Sequence, residues 1–112
     1  MMPTQLEIRR LHADICASLS DPTRIAILYL LDKEKINVKE MTARLDLPQS
    51  TVSRHLRVLR ETNLVRGERS GQNIYYQLTD DRVIVALNLL REVLHARVDT
   101  RSRAFNASSS EE

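Results

Sequence analysis

The stretch NVKEMTARLDLPQSTVSRHLRVLRET, residues 37–62, decides the fold of this chain. Its apolar residues recur at spacings of three and four: Val38, Met41 and Leu45, then Val52, Leu56 and Leu59. This spacing predicts two amphipathic helices, the first of them capped by Asn37. The short break at Asp46-Leu47-Pro48 allows only a tight turn between them, so the pair predicts a helix-turn-helix.

Two further helices are predicted before this stretch. Residues 5–19 place apolar side chains on one helical face: Ile8, Leu11, Ile15 and Leu19. A new helix then begins at Ser20-Asp21-Pro22, where a capping residue precedes a proline at the first helical position. Residues 25–31 are apolar on every side, which predicts that this second helix is the buried centre of the domain.

The period changes after Asn63. Alternating residues on either side of Ser70-Gly71-Gln72 predict a β-hairpin with Gly71 in the turn. Tyr75 and Tyr76 must point to opposite faces of their strand, and we expect Tyr76 to be the one in the core.

A last helix is predicted to begin near Thr79-Asp80. It has one long apolar stripe: Val83, Leu87, Leu90, Leu94 and Val98. Val85 and Leu89 give it a second apolar side, which suggests one face for the chain's own core and another for a partner chain.

Length and composition predict a single domain at residues 1–101 and a disordered polar tail at residues 102–112. The fold class is therefore mainly α with a β-hairpin, about five helices and two strands. No apolar run has the roughly 20 residues that a membrane span requires, so we expect a cytoplasmic protein without a membrane partner. The net charge is only +2, but 14 of the 17 basic residues are Arg, which suits bidentate contacts to phosphate or guanine.

An enzyme finds little support in the sequence. The chain has no glycine-rich phosphate loop, three His, and no Ser or Cys nucleophile with a His and an acid at a plausible spacing. Its single cysteine, Cys16, excludes a disulfide framework and every cysteine-rich zinc module.

The second helix of the helix-turn-helix has a polar face opposite its apolar one. At 100° per residue, Ser50, Arg54, Arg57 and Glu61 point away from Val52, which is the direction in which a recognition helix enters the major groove. His55 lies on the flank, where a supporting hydrogen bond or a phosphate contact is expected. The hairpin arginines would extend the basic surface. The predicted DNA contacts are Gln49, Ser50, Thr51, Ser53, Arg54, His55, Arg57, Arg66 and Arg69. The alternative is an Arg-rich helix surface that is merely solvated.

Three motifs, in order, resemble the ArsR/SmtB family of bacterial winged-helix repressors: residues 19–24, 49–60 and 75–78. The resemblance covers residues 8–98. It implies a winged helix-turn-helix homodimer that is formed by the first and last helices, binds an inverted repeat of double-stranded operator DNA, and releases it when an inducer binds. In many members the inducer is a metal ion. The interface residues expected on this basis are Ile8, Leu11, Ile15, Leu87, Leu90 and Leu94.

The usual metal sites of the family are absent from this sequence. Residues 37–42 lack the Cys-x-Cys pair, Asp80 and Asp81 lack a following His at the family spacing, and His95 is followed by Val98 where a Glu is needed. We therefore assign no cofactor. The remaining candidate ligands for a divalent metal are His12, Cys16 and His95, and the simpler expectation is a polar-edge His beside a small buried Cys.

Two functions from different classes remain open. One is a repressor, either with an inducer still to be identified or with no small-molecule sensor. The other is a winged helix that serves as a protein-protein interaction module. The sequence names neither the operator nor the regulated genes, and it leaves open activation in place of repression and a redox role for Cys16.

Overall fold

The helices form where the apolar spacing places them. In the computed structural model the backbone is assigned through residue 111, and side chains are described for residues 1–97. The helices are α1 (Gln5–Arg10), α2 (Pro22–Leu30), α3 (Val38–Leu45), α4 (Gln49–Glu61) and α5 (Arg82–Glu111). The strands are β1 (Ile36–Asn37), β2 (Val65–Ser70) and β3 (Asn73–Leu78). The predicted tail at residues 102–112 and the stripe residue Val98 lie outside the described side chains.

The predicted capping residues start their helices. Asp21 accepts hydrogen bonds from the backbone N–H of Thr23 at 2.8 Å and of Arg24 at 3.4 Å, which begins α2. Asn37 accepts one from the N–H of Glu40 at 2.9 Å and begins α3. Each cap satisfies N–H groups that a helix start leaves without an intrahelical partner.

The N-terminal segment, residues 5–20, is not the single α-helix that its periodicity predicts. After α1 it forms a π-helical turn at Leu11–Cys16 and a 3-10 turn at Ser18–Ser20. The N–H of Ala17 donates to the carbonyl of His12, five residues back, at 2.9 Å. A π turn inserts one extra residue and rotates the chain that follows, and Ser18 becomes buried with 1% of its surface exposed.

The hairpin belongs to a three-stranded antiparallel sheet in the order β1-β3-β2. Gly71, with φ 64°, supplies the turn between β2 and β3. The short strand β1 was not predicted, because two residues are too few to show alternation. It pairs Ile36 with Tyr76, which is buried as expected.

The core of residues 1–81, which form one compact unit, lies among α2, α3, α4 and the sheet. Its fully enclosed apolar side chains are Ile27, Leu28, Ile36, Met41, Val52, Leu56, Leu59 and Val65. The predicted inner residues of α4 are all among them, so the apolar face of this helix is confirmed.

The second unit begins at Arg82. On α5 the buried large side chains are Ile84 and Leu87. Leu87, which is expected to contact a partner chain, has 6% of its surface exposed, and its place in a dimer stays a prediction. Five other large apolar residues of α5 are exposed: Val85, Leu89, Leu90, Val93 and Leu94. Over the part of the chain that the structure describes, no helix is long and apolar enough to cross a membrane.

Candidate nucleic-acid interface

A sharp turn at residues 46–48 sets the direction of α4. Asp46 closes α3 in the left-handed conformation, with φ 53° and ψ 49°, a conformation that Asp tolerates better than most residues. Pro48 then occupies the N-cap of α4 and has no side-chain acceptor for the N–H groups of the first turn. The start of α4 therefore keeps donors and a partial positive charge that suit a phosphate.

The face of α4 opposite the core is polar and open. Five of the predicted contact residues on this helix are exposed: Gln49, Ser50, Ser53, Arg54 and Arg57. Thr51 is half-buried. The apolar side of the same helix is fully buried, so packing presents this polar face outward.

The two outward arginines of α4 differ in their surroundings. Arg57 Nε donates to Glu61 Oε1 at 3.1 Å, and both side chains are highly exposed, at 74% and 64%. Exposed ion pairs contribute little to stability, so Arg57 can exchange Glu61 for a phosphate at small cost. Within residues 1–97, Arg54 forms no ion pair.

The two hairpin arginines do not share one face. They lie three positions apart on the continuous strand β2, and neighbouring strand residues alternate between faces. Arg66 stands opposite Gln77, whose amide oxygen, when turned toward it, accepts from Arg66 Nε at 2.9 Å. Arg69 stands opposite Ile74, near the hairpin tip. The basic surface is therefore split between the two sides of the β2–β3 hairpin, residues 65–78, which we call the wing.

An acidic residue of the wing is neutralised locally. Lys35 Nζ lies 3.0 Å from Glu68 Oε2. The hydrogen bond and charge of Lys35, with a smaller contribution from Arg66, hold the pKa of Glu68 below its ordinary value. Glu68 therefore stays ionised and paired, which reduces its repulsion of an approaching phosphate backbone.

His55 is not available for DNA. Only 7% of its surface is exposed, so its assignment as a DNA contact is wrong, and the supporting role is the one that its position allows. Arg24 Nη1 lies 3.3 Å from its Nδ1, and Asp21 Oδ1 lies 3.9 Å from its Nε2. His55 follows the buried Val52 by three residues and precedes the buried Leu59 by four, so it lies on the flank of the inner face of α4.

Sequence reasoning missed three residues that support α4. Asp21 and Arg24 were noted for a helix cap and for a family motif, and neither spacing indicated that they reach His55. Partial burial raises the pKa of Asp21, but its polar neighbours outweigh that effect and the pKa is lowered. These neighbours are the N–H of Thr23, the His55 ring, and the N–H and charge of Arg24. Arg60 lies over the Tyr76 ring at 5.9 Å, a cation–π contact at the last turn of α4.

The predicted dimer residues of the N-terminal segment line one groove. Ile8, Leu11 and Ile15 meet Thr62 around an open cavity of about 370 Å³. Ile8 and Leu11 are exposed, and α1 itself has no buried residue. On α5, Leu90 and Leu94 are exposed as a partner contact requires.

The candidate metal ligands are not gathered into a site. Cys16 is exposed, which corrects the expectation of a buried thiol. His12 and His95 are exposed as well. Among the side chains of residues 1–97, no three His, Cys, Asp or Glu residues are close enough to share a metal ion.

Known proteins are similar to this chain in both sequence and architecture. A family model described as "Bacterial regulatory protein, arsR family" matches residues 21–66. The chain is 37% identical over 81 residues to a "Transcriptional repressor SmtB homolog" of Synechocystis, an alignment that covers 72% of this chain and 59% of that protein. It is 36% identical over 97 residues to the "HTH-type transcriptional repressor SmtB" of Mycobacterium tuberculosis, covering 87% of this chain and 70% of that one.

The likeness extends to solved structures. NolR from Sinorhizobium fredii superimposes with a TM-score of 0.71 at 34% identity, over 83% of this chain and 96% of that chain. A "homodimeric winged helix-turn-helix DNA-binding domain" from Mycobacterium bovis superimposes with a TM-score of 0.74 at 21% identity, over 88% of this chain and 92% of that chain, and this likeness assigns the helices and the hairpin to the winged helix-turn-helix fold.

Proposed function

We propose that this chain, which belongs to the arsR family of bacterial regulatory proteins, is a repressor that binds an inverted-repeat operator as a homodimer. The curated relatives are DNA-binding transcription regulators and not enzymes. It spans 59% of the Synechocystis relative and 70% of the mycobacterial one. A DNA-bound role would place it in the cytoplasm.

The observation that carries the proposal is the outward face of α4. Gln49, Ser50, Ser53, Arg54 and Arg57 are exposed together on the second helix of a helix-turn-helix. Hydroxyl, amide and guanidinium groups are those that read base edges and bind phosphates. Arg54, in the middle of this face, is the residue that we assign to a base edge.

The wing and the helix start supply phosphate contacts in this proposal. The uncapped first turn of α4 attracts a phosphate through its N–H groups, and Thr51 lies beside it. Arg66 and Arg69, on opposite sides of the wing, are assigned to backbone phosphates flanking the groove. Such contacts fix the register of the protein and make binding dependent on salt.

The homodimer follows from apolar surface that one chain leaves uncovered. The groove at Ile8, Leu11 and Ile15 and the exposed residues of α5 together exceed what isolated surface side chains explain. Helix-turn-helix dimers bind half-sites about one helical turn, ~10–10.5 bp, apart, and we expect the same spacing here. An inverted repeat matches that symmetry.

The metal sites usual in the family are outside this proposal, because the chain lacks their ligands. A thiolate site would need cysteines within residues 37–42, and a histidine-carboxylate site would need a His two residues after Asp80 or Asp81 and a Glu in place of Val98; the sequence has none of these. We therefore propose a repressor whose inducer, where one acts, does not bind through those two sites.

The first experiment selects duplexes from a random-sequence library with the parent protein and then measures binding by fluorescence anisotropy. Arg54→Ala should weaken the selected duplex by about 1–3 kcal/mol and relax specificity at one position. Arg57→Ala should weaken all duplexes alike. Arg9→Ala, which removes an exposed Arg from α1, is the matched control. Unchanged affinity in both α4 variants would show that the groove assignment is wrong.

A salt titration of the same complex separates DNA binding from a protein-interaction role. Phosphate contacts make the logarithm of affinity fall linearly with the logarithm of salt concentration. A parent protein that selects no duplex, or whose weak binding shows no dependence on sequence, would favour the interaction module.

A further inference from the structure

The Arg24 side chain joins three parts of the fold. Its Nε donates to the carbonyl of Ser18 at 2.7 Å, and its Nη2 donates to the carbonyl of Ala17 at 3.2 Å. Its Nη1 lies 3.3 Å from His55 Nδ1. One guanidinium on α2 thus connects the end of the N-terminal segment to the middle of the recognition helix α4.

The contact gives the two nitrogens of the His55 ring different roles. A guanidinium has only donors, so a hydrogen bond from Arg24 requires Nδ1 to accept and leaves Nε2 as the donor of the ring. That nitrogen faces Asp21 Oδ1 at 3.9 Å. His55 therefore accepts from one side and presents a donor to the other, and both partners come from the first turn of α2.

A second contact holds α4 from the same segment. The buried Ser18 hydroxyl lies 2.9 Å from the hydroxyl of Thr62, the residue that ends α4, and 2.9 Å from the carbonyl of Asp14. His55 and Thr62 are seven residues apart, about 10 Å along a helix. Residues 17–18 thus hold α4 at two points two turns apart.

We propose that Arg24 is a positioning residue for DNA recognition, which sets the rotation of α4 through His55. Apolar packing of Val52, Leu56 and Leu59 buries one face but is non-directional, whereas hydrogen bonds require defined angles. Arg54 immediately precedes His55, so a small rotation of α4 about its axis would move Arg54 away from a base edge. The inference rests on the DNA-binding function proposed above.

The same contacts link two regions with different roles. Ile8, Leu11 and Ile15, assigned to the dimer, belong to the segment whose end Arg24 holds. A displacement of this segment would reach α4 through the carbonyls of Ala17 and Ser18.

The test uses full-length protein and a duplex that the parent selects from a random-sequence library. Arg24→Met keeps an unbranched stem without the guanidinium, and His55→Leu removes the acceptor. His55→Gln restores an acceptor and a donor on a side chain of similar reach. Arg9→Met is the control for loss of an exposed Arg. Binding to selected and to random duplexes is measured by anisotropy, with thermal unfolding followed in parallel.

We expect Arg24→Met and His55→Leu each to weaken binding to the selected duplex about tenfold, since each removes a hydrogen bond to a charged group. Binding to random duplexes should change less than about threefold, because phosphate contacts tolerate small rotations. His55→Gln should recover most of the specific affinity. The double variant should bind no worse than the weaker-binding single variant, because both changes break the same Arg24–His55 contact.

The proposal is overturned if Arg24→Met and His55→Leu keep the parent's specificity, or if both kinds of duplex lose affinity equally. It is also overturned if His55→Gln is as defective as His55→Leu. If Arg24→Met does not fold, the test is the affinity of His55→Leu and His55→Gln for the selected duplex, measured at a temperature at which both variants are folded. A parent that selects no duplex would instead contradict the proposed function.

Discussion

Residues 21–66 and the segments on either side of them bury their apolar side chains to very different extents. Inside this region α2, α3 and α4 place large side chains completely out of solvent, among them Ile27, Leu28 and Leu56. Outside it, α1 has no buried residue, and α5 leaves five large apolar side chains exposed within residues 82–97. The central region, together with β3, encloses its large apolar side chains, whereas α1 and the described part of α5 carry apolar surface that a single chain does not cover.

In the proposed function, this difference separates DNA recognition from assembly. The central region must present a polar face rigidly, so its own packing has to be complete. The flanking helices are free to contribute to assembly, because the core of residues 1–81 does not depend on the exposed side of α1. The following predictions test how sharp that separation is.

The largest effect is expected in the central core. Leu28→Ala should destabilise the chain by about 2–5 kcal/mol, because it leaves a cavity among fully buried neighbours. Leu11→Ala, on the exposed N-terminal segment, should change the stability of the monomer by less than about 0.5 kcal/mol. Urea unfolding of dilute protein measures both, and equal losses would contradict the contrast between the two regions.

A large effect on assembly is expected from α5. Leu90 is 60% exposed in the single chain, so Leu90→Asp should leave a folded monomer but raise the dimer Kd at least about a hundredfold, by burying an unpaired carboxylate. Sedimentation measures the dimer, and circular dichroism checks the fold. Asn88→Asp introduces a carboxylate at another exposed position of the same helix and should leave the dimer intact. A fully dimeric Leu90→Asp would remove α5 from the interface.

A smaller, pH-dependent effect is expected at the first residue of the central region. The pKa of Asp21 is lowered from 3.8, so its charged form stabilises the fold. That contribution is fully present above the unfolded value and is lost as the pH falls through the lowered folded value. Asn caps helices nearly as well as Asp, so Asp21→Asn isolates the charge.

Urea midpoints of the parent and Asp21→Asn should therefore differ at pH 7 and converge toward pH 2. The exposed Asp14→Asn provides a comparison on the N-terminal segment, where the difference should be smaller. If the difference in urea midpoint between the parent and Asp21→Asn increased as the pH is lowered, the charged form of Asp21 would not be the stabilising one.

The smallest effect is expected at Cys16. Because this thiol is exposed, it should react with a disulfide reagent in the native protein, and Cys16→Ser should change stability by less than about 0.5 kcal/mol. Parent and variant should bind a selected duplex equally, with or without zinc, cadmium or arsenite at micromolar levels. If a metal released the parent protein from DNA but did not release Cys16→Ser, Cys16 would be a sensor, and His12 would be the first co-ligand to test.

The local pattern of the sequence was sufficient for most of the central region. The caps at Asp21 and Asn37, the inner face of α4 at Val52, Leu56 and Leu59, and the burial of Tyr76 were all predicted correctly. Each depends on neighbours within about one helical turn or one strand step, and such information is local. The exposure of Arg54 and Arg57 follows from the same periodicity, since packing one face of a helix leaves the other outside.

Features that depend on distant partners were missed or wrongly assigned. His55 stands 31 positions from Arg24, and no periodicity relates the two. The apolar stripe of the last helix does not show which of its members are enclosed: Leu87 has 6% of its surface exposed, whereas Leu90 has 60%. Cys16 is exposed since the π turn at Leu11–Cys16 alters the rotation of the segment.

By itself the sequence determined α2, α3 and α4, the caps of α2 and α3, the hairpin and the polar face of α4, because residue spacing and capping chemistry act over a few positions. Only the tertiary structure decided that β1 joins the sheet, that Ser18 and His55 are enclosed, and that Arg24 connects them. Burial and hydrogen-bond partners across the fold depend on how whole elements meet, and the free energy of such a contact belongs to neither element alone.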